Sequence, residues 1–140
     1  MAQGEDKGMN EAPIVVYFAY MFSSNPTENT KKARDMVIKL MKKHPEWFVI
    51  CPHIAIDVLL DGTLDWTGMG SKDFSRWRRT QAGMMSLAFL SKSDIMVLGC
   101  EPSYGGSSGV TWEHIFANVL NRSWRKDNPI IIMTYEEAMK

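Results

Sequence analysis

The run Ile95-Met96-Val97-Leu98, with Ser107-Ser108-Gly109-Val110-Thr111-Trp112-Glu113 shortly after it, is the stretch on which the fold turns. The first four residues are uninterruptedly apolar, as expected of a strand covered on both faces. The later residues lead into a helix whose apolar stripe reads Trp112, Ile115, Phe116, Val119 and Leu120. A small, polar, glycine-containing turn between strand and helix presents backbone N–H groups to an anion. The reading is therefore strand, ligand-binding turn and helix, with the Glu113 carboxylate beside the same crevice.

The same alternation extends in both directions. Residues Pro13 to Tyr20 are almost all apolar, β-branched or aromatic and predict a buried first strand. Asn25 or Thr27 caps, and Pro26 suits the first turn of, a helix in which Ala33, Met36, Val37, Leu40 and Met41 recur at helical spacing; it stops near Lys43-His44-Pro45. Trp47 to Cys51 predicts a second strand. Asp61 to Ser75 reads as a long loop, Arg76 to Ser91 as a helix, and Ile130 to Met133 as a fourth strand. Strands alternating with helices imply a parallel sheet joined by right-handed crossovers. The expected fold is a single α/β domain over residues 13–140, a Rossmann- or flavodoxin-like three-layer sandwich with four to five parallel strands. Residues 1–12 are polar and read as a mobile tail. Ligands of such folds sit at the carboxyl ends of the strands, where Tyr20, His53 and the segment Glu101 to Glu113 fall.

Composition narrows the classes. The chain has 140 residues, 45% hydrophobic and 23% charged, with zero formal net charge. A neutral balance offers no broad attraction to a nucleic-acid polymer or an anionic membrane. No apolar run approaches the roughly 20 residues of a membrane span. The first residues lack an apolar core of a secretory signal, so a cytoplasmic location is expected. Cys51 and Cys100 are read as reduced thiols. The basic run Arg76-Trp77-Arg78-Arg79 reads first as a solvated helix start and second as a phosphate contact.

Glu113 falls one position off the apolar stripe, in the expected first turn of its helix. It either complements the helix dipole or serves as nucleophile or general base. Ser107 and Gly109 either cap that helix or bind a phosphate or sugar hydroxyl through backbone N–H groups. His44 reads as structural or solvated, and His53 as either a ligand contact or a hydrogen-bonded structural residue. His114 points about 100° away from Glu113 and does not share a metal with it. No ligand spacing suits a metal, no phosphate-loop or dinucleotide-binding glycine motif follows the first strand, and no cofactor is expected. Trp66 and Trp77 read as packing residues before base-stacking ones.

Four of these elements together resemble the nucleoside 2-deoxyribosyltransferase superfamily, which includes the 2'-deoxynucleoside 5'-phosphate N-hydrolases. They are Tyr17-Phe18-Ala19 with Tyr20-Met21-Phe22, Asn29 with Ala33, Cys51-Pro52-His53, and Ser107 to Glu113. The resemblance implies cleavage or transfer at the N-glycosidic bond of a nucleoside or nucleoside 5'-monophosphate. It implies that Glu113 is the nucleophile, that Tyr17 lies beside it, and that Ala19, Tyr20, His53, Ser86, Ser107 and Gly109 line the substrate site. It implies a homo-oligomer, because relatives often complete the pocket with a neighbouring subunit. Relatives commonly carry an Asp eight residues before the Asp that opens the third strand; here that position is Ser86. A hydroxyl cannot replace a carboxyl group in acid–base work. Asp57, Asp61 and Asp73 are the alternative carboxylates, and the alternative function is a catalytically weak protein that senses or sequesters a nucleotide.

Overall fold

The computed structural model describes residues 13–21, 26–52, 54, 74–100 and 108–140. The expected N-terminal tail, most of the long loop, His53 and Ser107 lie outside these residues. Four strands form one sheet: β1 (Ile14–Ala19), β2 (Trp47–Ile50), β3 (Ile95–Leu98) and β4 (Ile131–Thr134). Their order is β2-β1-β3-β4, and every pairing is parallel, as the alternation required. β1 lies inside the sheet, with Tyr17 registered between Ile50 and Met96.

Asp94 ties three strands together at the amino edge. The Val15 amide donates to its carboxylate at 2.8 Å, and its own amide donates to the Val15 carbonyl at 2.8 Å. The Ile131 amide then donates to the Asp94 carbonyl at 3.0 Å.

The helices are α1 (Pro26–Lys43), α2 (Phe74–Trp77), α3 (Gln81–Ser91), α4 (Ser108–Asn121) and α5 (Tyr135–Ala138). α1 begins at Pro26 and ends before Pro45, as the sequence requires. Of the two readings of His44 the structural one holds: its ring stacks on Trp47, and Nε2–H donates to the Ala138 carbonyl at 2.6 Å.

The single helix expected from Arg76 to Ser91 is two helices. Thr80 stands between them in extended backbone; its hydroxyl accepts from the Gly83 amide at 2.9 Å and donates to the Trp77 carbonyl at 2.7 Å. A threonine cap that serves both neighbouring turns ends one helix and starts the next. Trp77 is fully buried, whereas Arg76, Arg78 and Arg79 are exposed, so the basic run is a solvated face pinned by one indole. α5 was not expected. Its signature is nonetheless written in Thr134-x-x-Glu137, which forms a reciprocal capping box.

β1 feeds two apolar clusters. Val16 and Phe18 pack with Ala33 and Leu40 of α1, Trp47 of β2, Ile95 and Val97 of β3, and Ala138 of α5. Tyr17 and Ala19 pack with Leu90 of α3, Met96 of β3, and Val110, Ala117 and Leu120 of α4. Both cysteines are free thiols. Among the described residues, no helix is long and apolar enough to cross a membrane.

The junction after β3 is tightly filled. The Gly99 amide donates to the Ala19 carbonyl at 2.8 Å, and a Cβ on Gly99 would stand 2.4 Å from Phe18 Cζ. Gly99→Ala must displace the Phe18 ring, which is itself stacked on Tyr20. The variant is expected to lose about 1–3 kcal/mol of stability, as overpacked cores do. Urea unfolding of parent and variant checks this; equal midpoints would show that the ring moves at no cost.

Candidate active site

The side chain of Tyr17 leaves the middle of β1 toward α3 and α4 and is fully buried. A buried phenol needs a partner for its hydroxyl. That partner is Glu113: the Tyr17 hydroxyl donates to Glu113 Oε2 across the interior. The two residues are far apart in the chain, and only the stacking of α4 on β1 brings them together.

Glu113 is held differently from the way its sequence neighbours suggest. α4 begins at Ser108, which puts Glu113 in the second turn instead of the first. The dipole fades beyond the first turn, so the capping explanation loses its force. The buried residues of α4 are Val110, Thr111, Glu113, Ala117 and Leu120; Val110, Glu113, Ala117 and Leu120 follow a three- and four-residue spacing that includes the carboxylate. The stripe expected from the large residues is displaced: Trp112, Ile115 and Phe116 are half-buried, and Val119 is exposed. The helix turns Val110, Ala117 and Leu120 into the cluster that holds Tyr17, Ala19 and Met96, and its bulky residues flank them. Glu113 is thus 8% exposed, inside the core stripe and not beside it.

Burial pushes the Glu113 carboxyl up to about 8, because an ion loses its hydration there. The Tyr17 hydrogen bond works in the opposite direction by favouring the carboxylate. Near neutral pH the group is mostly protonated, and a modest rise in pH ionises it. A carboxyl group poised in this way serves as an acid when protonated and as a nucleophile or base when ionised.

The other candidates are distributed as follows. Ser86 lies on the buried face of α3 with Gly83 and Leu90, and is 5% exposed. Ala19 is buried at the carboxyl end of β1, in the same cluster as Tyr17. Tyr20 turns to the opposite face, where its ring stacks on Phe18 with centroids 6.1 Å apart. It borders Cys100; burial, and then the nearby Cys100 and Glu28, raise its hydroxyl above the ordinary phenol range. Gly109 is the second residue of α4 and not part of a preceding turn. Ser107 and His53 lie outside the described residues.

The structure therefore brings Tyr17, Ala19, Ser86 and Glu113 to one side of the sheet and sends Tyr20 to the other. On that other side a cleft of about 400 Å³ opens at the carboxyl ends of β3 and β4, lined in part by Met36, Gly99, Cys100, Tyr135 and Glu136. Sequence reasoning missed this cleft; α5, which supplies Tyr135 and Glu136, carries only the capping-box signal. Among the described residues, no group of His, Cys, Asp or Glu could hold a metal ion. No protein-family model matches the chain, and no curated protein or solved structure matches it.

The raised carboxyl makes stability depend on pH with a definite sign. Between the unfolded value of 4.5 and the folded value of about 8, the native state holds a proton that the unfolded chain has released. Native stability is therefore expected to fall as pH rises through this window and to level off above it. The full loss is on the order of 5 kcal/mol. Glu113→Gln removes this term, so its stability relative to the parent should grow between pH 5 and pH 8.5. Denaturant unfolding of both proteins across that range measures it; a constant difference would mean that Glu113 ionises normally.

Proposed function

We propose that the protein cleaves or transfers at the N-glycosidic bond of a nucleoside or nucleoside 5'-monophosphate, with Glu113 as nucleophile. The observation that carries this reading is the buried Tyr17–Glu113 hydrogen bond beneath the carboxyl edge of a parallel sheet. Its chemistry fits glycosidic displacement. A carboxylate attacks the anomeric carbon as the base departs, and a glycosyl ester forms; water or an acceptor base then opens it. The transition state carries positive charge on the sugar. A poorly hydrated carboxylate stabilises that charge far more than a solvated one would. Tyr17 fixes the orientation of Glu113 and supplies a hydrogen bond to the ionised form. The likeness of Tyr17-Phe18-Ala19 and of Ser107 to Glu113 to the nucleoside 2-deoxyribosyltransferase superfamily supports the same roles. That likeness also motivates a phosphate or sugar-hydroxyl contact at Ser107 and Gly109, a ligand contact at His53, and a homo-oligomeric assembly.

A second reading has an observation in its favour. With its carboxyl pushed up to about 8, Glu113 is mainly protonated at neutral pH, and Ser86 offers no acid to the departing base. These two features favour a protein that holds a nucleotide and turns it over slowly.

Release of free base from a panel of nucleosides and 5'-monophosphates separates the two. On the first reading the parent releases base, and Glu113→Gln loses at least about 10³-fold in turnover while still binding the same nucleotide. The parent's kcat/KM should climb with pH and reach a plateau above about 8, following ionisation of Glu113. Binding without base release at any pH establishes the second reading.

Tyr17→Phe probes the hydrogen bond alone. Without the donor, the carboxylate loses its one described stabilising contact, so the rising limb should move to higher pH by about 1 unit. The same measurement at saturating pH should recover much of the parent rate. An unshifted limb would show that Tyr17 does not touch the ionised group.

A further inference from the structure

The run Arg76-Trp77-Arg78-Arg79 and the exposed Trp124 take no part in the site around Glu113, yet their placement gives them a use together. None of the residues of α3 is charged. Such a helix is ordinarily covered on all sides. α3 is covered on one: Gly83, Ser86 and Leu90 are buried, whereas Met84, 55% exposed, and Ala88, one turn on, face solvent with the half-buried Leu87 beside them. At the amino end of this stripe an open groove of about 460 Å³ is lined in part by Arg78, Arg79, Met84 and Leu87. Guanidinium groups and apolar side chains thus border one space. At the other end, Arg125 donates to the carbonyls of Ser91 and Ser93 at 3.0 and 2.9 Å. These bonds fasten the turn after α4 to the end of α3. The turn holds Trp124 out to solvent at 91% exposure, and exposed Lys92 directly follows α3.

The chain as a whole is neutral, but its charges are unevenly placed. Exposed Arg76, Arg78, Arg79, Lys92, Arg122 and Lys126 bracket the apolar stripe. Among the described residues, none of them is in an ion pair. The described carboxylates between Phe74 and Pro129 are Asp94, Glu113 and Asp127. Asp94 accepts from the Val15 amide and Glu113 is buried, which leaves Asp127 to offset the cations.

This pattern decides between occupants. A second copy laid on the face by a twofold axis would bring cations against cations, because both ends of the stripe are basic. A nucleic-acid strand would satisfy the cations but leave Met84, Leu87 and Ala88 against a sugar–phosphate backbone. An anionic bilayer satisfies both: headgroup phosphates meet the basic side chains, and the acyl boundary receives the apolar stripe. A tryptophan flanked by basic residues suits that boundary, its ring in the apolar layer and its indole N–H among the headgroups. We propose that the outer face of α3, together with the Trp124 turn, docks on a membrane surface rich in anionic lipid. The protein lies at the interface, since no described helix is long and apolar enough to cross. The basic run then serves the second of its two readings, phosphate contact, with lipid as the source of the phosphate. The proposal is independent of the glycosidic reading of Glu113.

Sedimentation of the full chain with phosphatidylcholine vesicles, with and without phosphatidylserine, tests it. Binding to the mixed vesicles is expected to be at least about tenfold tighter, since each Lys or Arg near an anionic surface contributes about fivefold. Arg78→Glu with Arg79→Glu should lose at least about tenfold. Arg78→Lys with Arg79→Lys should stay within about threefold, because a bilayer asks for charge and not for a fixed fork. Met84→Ser with Trp124→Ser should weaken binding at least about threefold and leave its salt dependence unchanged. Brominated acyl chains should quench the tryptophan fluorescence of the parent and much less that of Trp124→Phe. The substituted side chains are exposed, and urea midpoints equal to the parent's show that the variants are folded. Equal affinity for the two kinds of vesicle, or binding unmoved by the arginine reversals, overturns the proposal. Binding without quenching also overturns it, because charge alone then holds the protein. Tighter binding to a single-stranded oligonucleotide than to mixed vesicles assigns the face to nucleic acid. A dimer that Met84→Ser with Trp124→Ser splits assigns it to a second copy, and either result overturns lipid docking.

Discussion

β1 is buried on both faces, and that constraint organises the rest of the molecule. A strand in this position must alternate its side chains between two cores. Val16 and Phe18 supply one, beneath α1 and α5; Tyr17 and Ala19 supply the other, beneath α3 and α4. Parallel neighbours on each side force the connecting helices to cross over the faces, and the crossings deliver those covers. Tyr17 is the exception to apolar filling in β1. Its ring packs like any core residue, but its hydroxyl demands a partner in a place that water does not reach. Glu113 meets that demand at the cost of burying a carboxyl group. The same burial that completes the packing also displaces the acid from its ordinary range.

The opposite edge of the sheet is built for rigidity. Asp94 joins β1, β3 and β4 through its side chain and backbone. Asn121 grips Ile130 from both sides, accepting from its amide at 2.7 Å and donating to its carbonyl at 2.9 Å. Arg125 donates to the carbonyls of Ser91, Ser93 and Asn128, which ties the end of α3 to the turn after α4. These contacts hold α3 and α4 in a defined relation to each other. Side chains near the carboxyl edge, Ser86 and Glu113 among them, inherit that relation. A site mounted on helices fixed in this way keeps its geometry better than one carried by free loops.

Much of this architecture was legible in the residues. The apolar runs at Ile14, Trp47, Ile95 and Ile131 mark the strands; β1 and β3 are buried as such runs lead one to expect, whereas Phe48 of β2 and Ile131 of β4 are exposed at the outer strands. Pro26 and Pro45 bracket α1 for reasons of backbone geometry that operate locally. Other features were less accessible. The break at Thr80 was hidden because the helical pattern continues through it, and the cap acts through one hydroxyl shared between two turns. α5 was hidden by its brevity, although its capping box is written in the sequence. The inward face of α4 was misjudged by one position, since Trp112, Phe116 and Val119 outweigh Val110 and Ala117 in any hydrophobic pattern. Packing against residues distant in the chain, Tyr17, Leu90 and Met96 among them, sets which of these residues turn inward.

The sequence by itself determined the class of fold, the strands, the existence of the long helices and the candidacy of Tyr17 and Glu113. The fold elements and the candidacy of Glu113 follow from local preference or from periodicity, which a single chain displays without a partner element; that of Tyr17 follows from the resemblance carried by its strand. Only the tertiary structure decided that the Tyr17 hydroxyl and the Glu113 carboxyl touch, that Tyr20 belongs to the other face, and that Ser86 lies on the buried face of α3. Those outcomes depend on how α3 and α4 are rotated about their own axes against β1. That rotation is set by packing among residues distant in the chain, and a difference of one residue, about 100° of helix, separates a solvated carboxylate from a buried one.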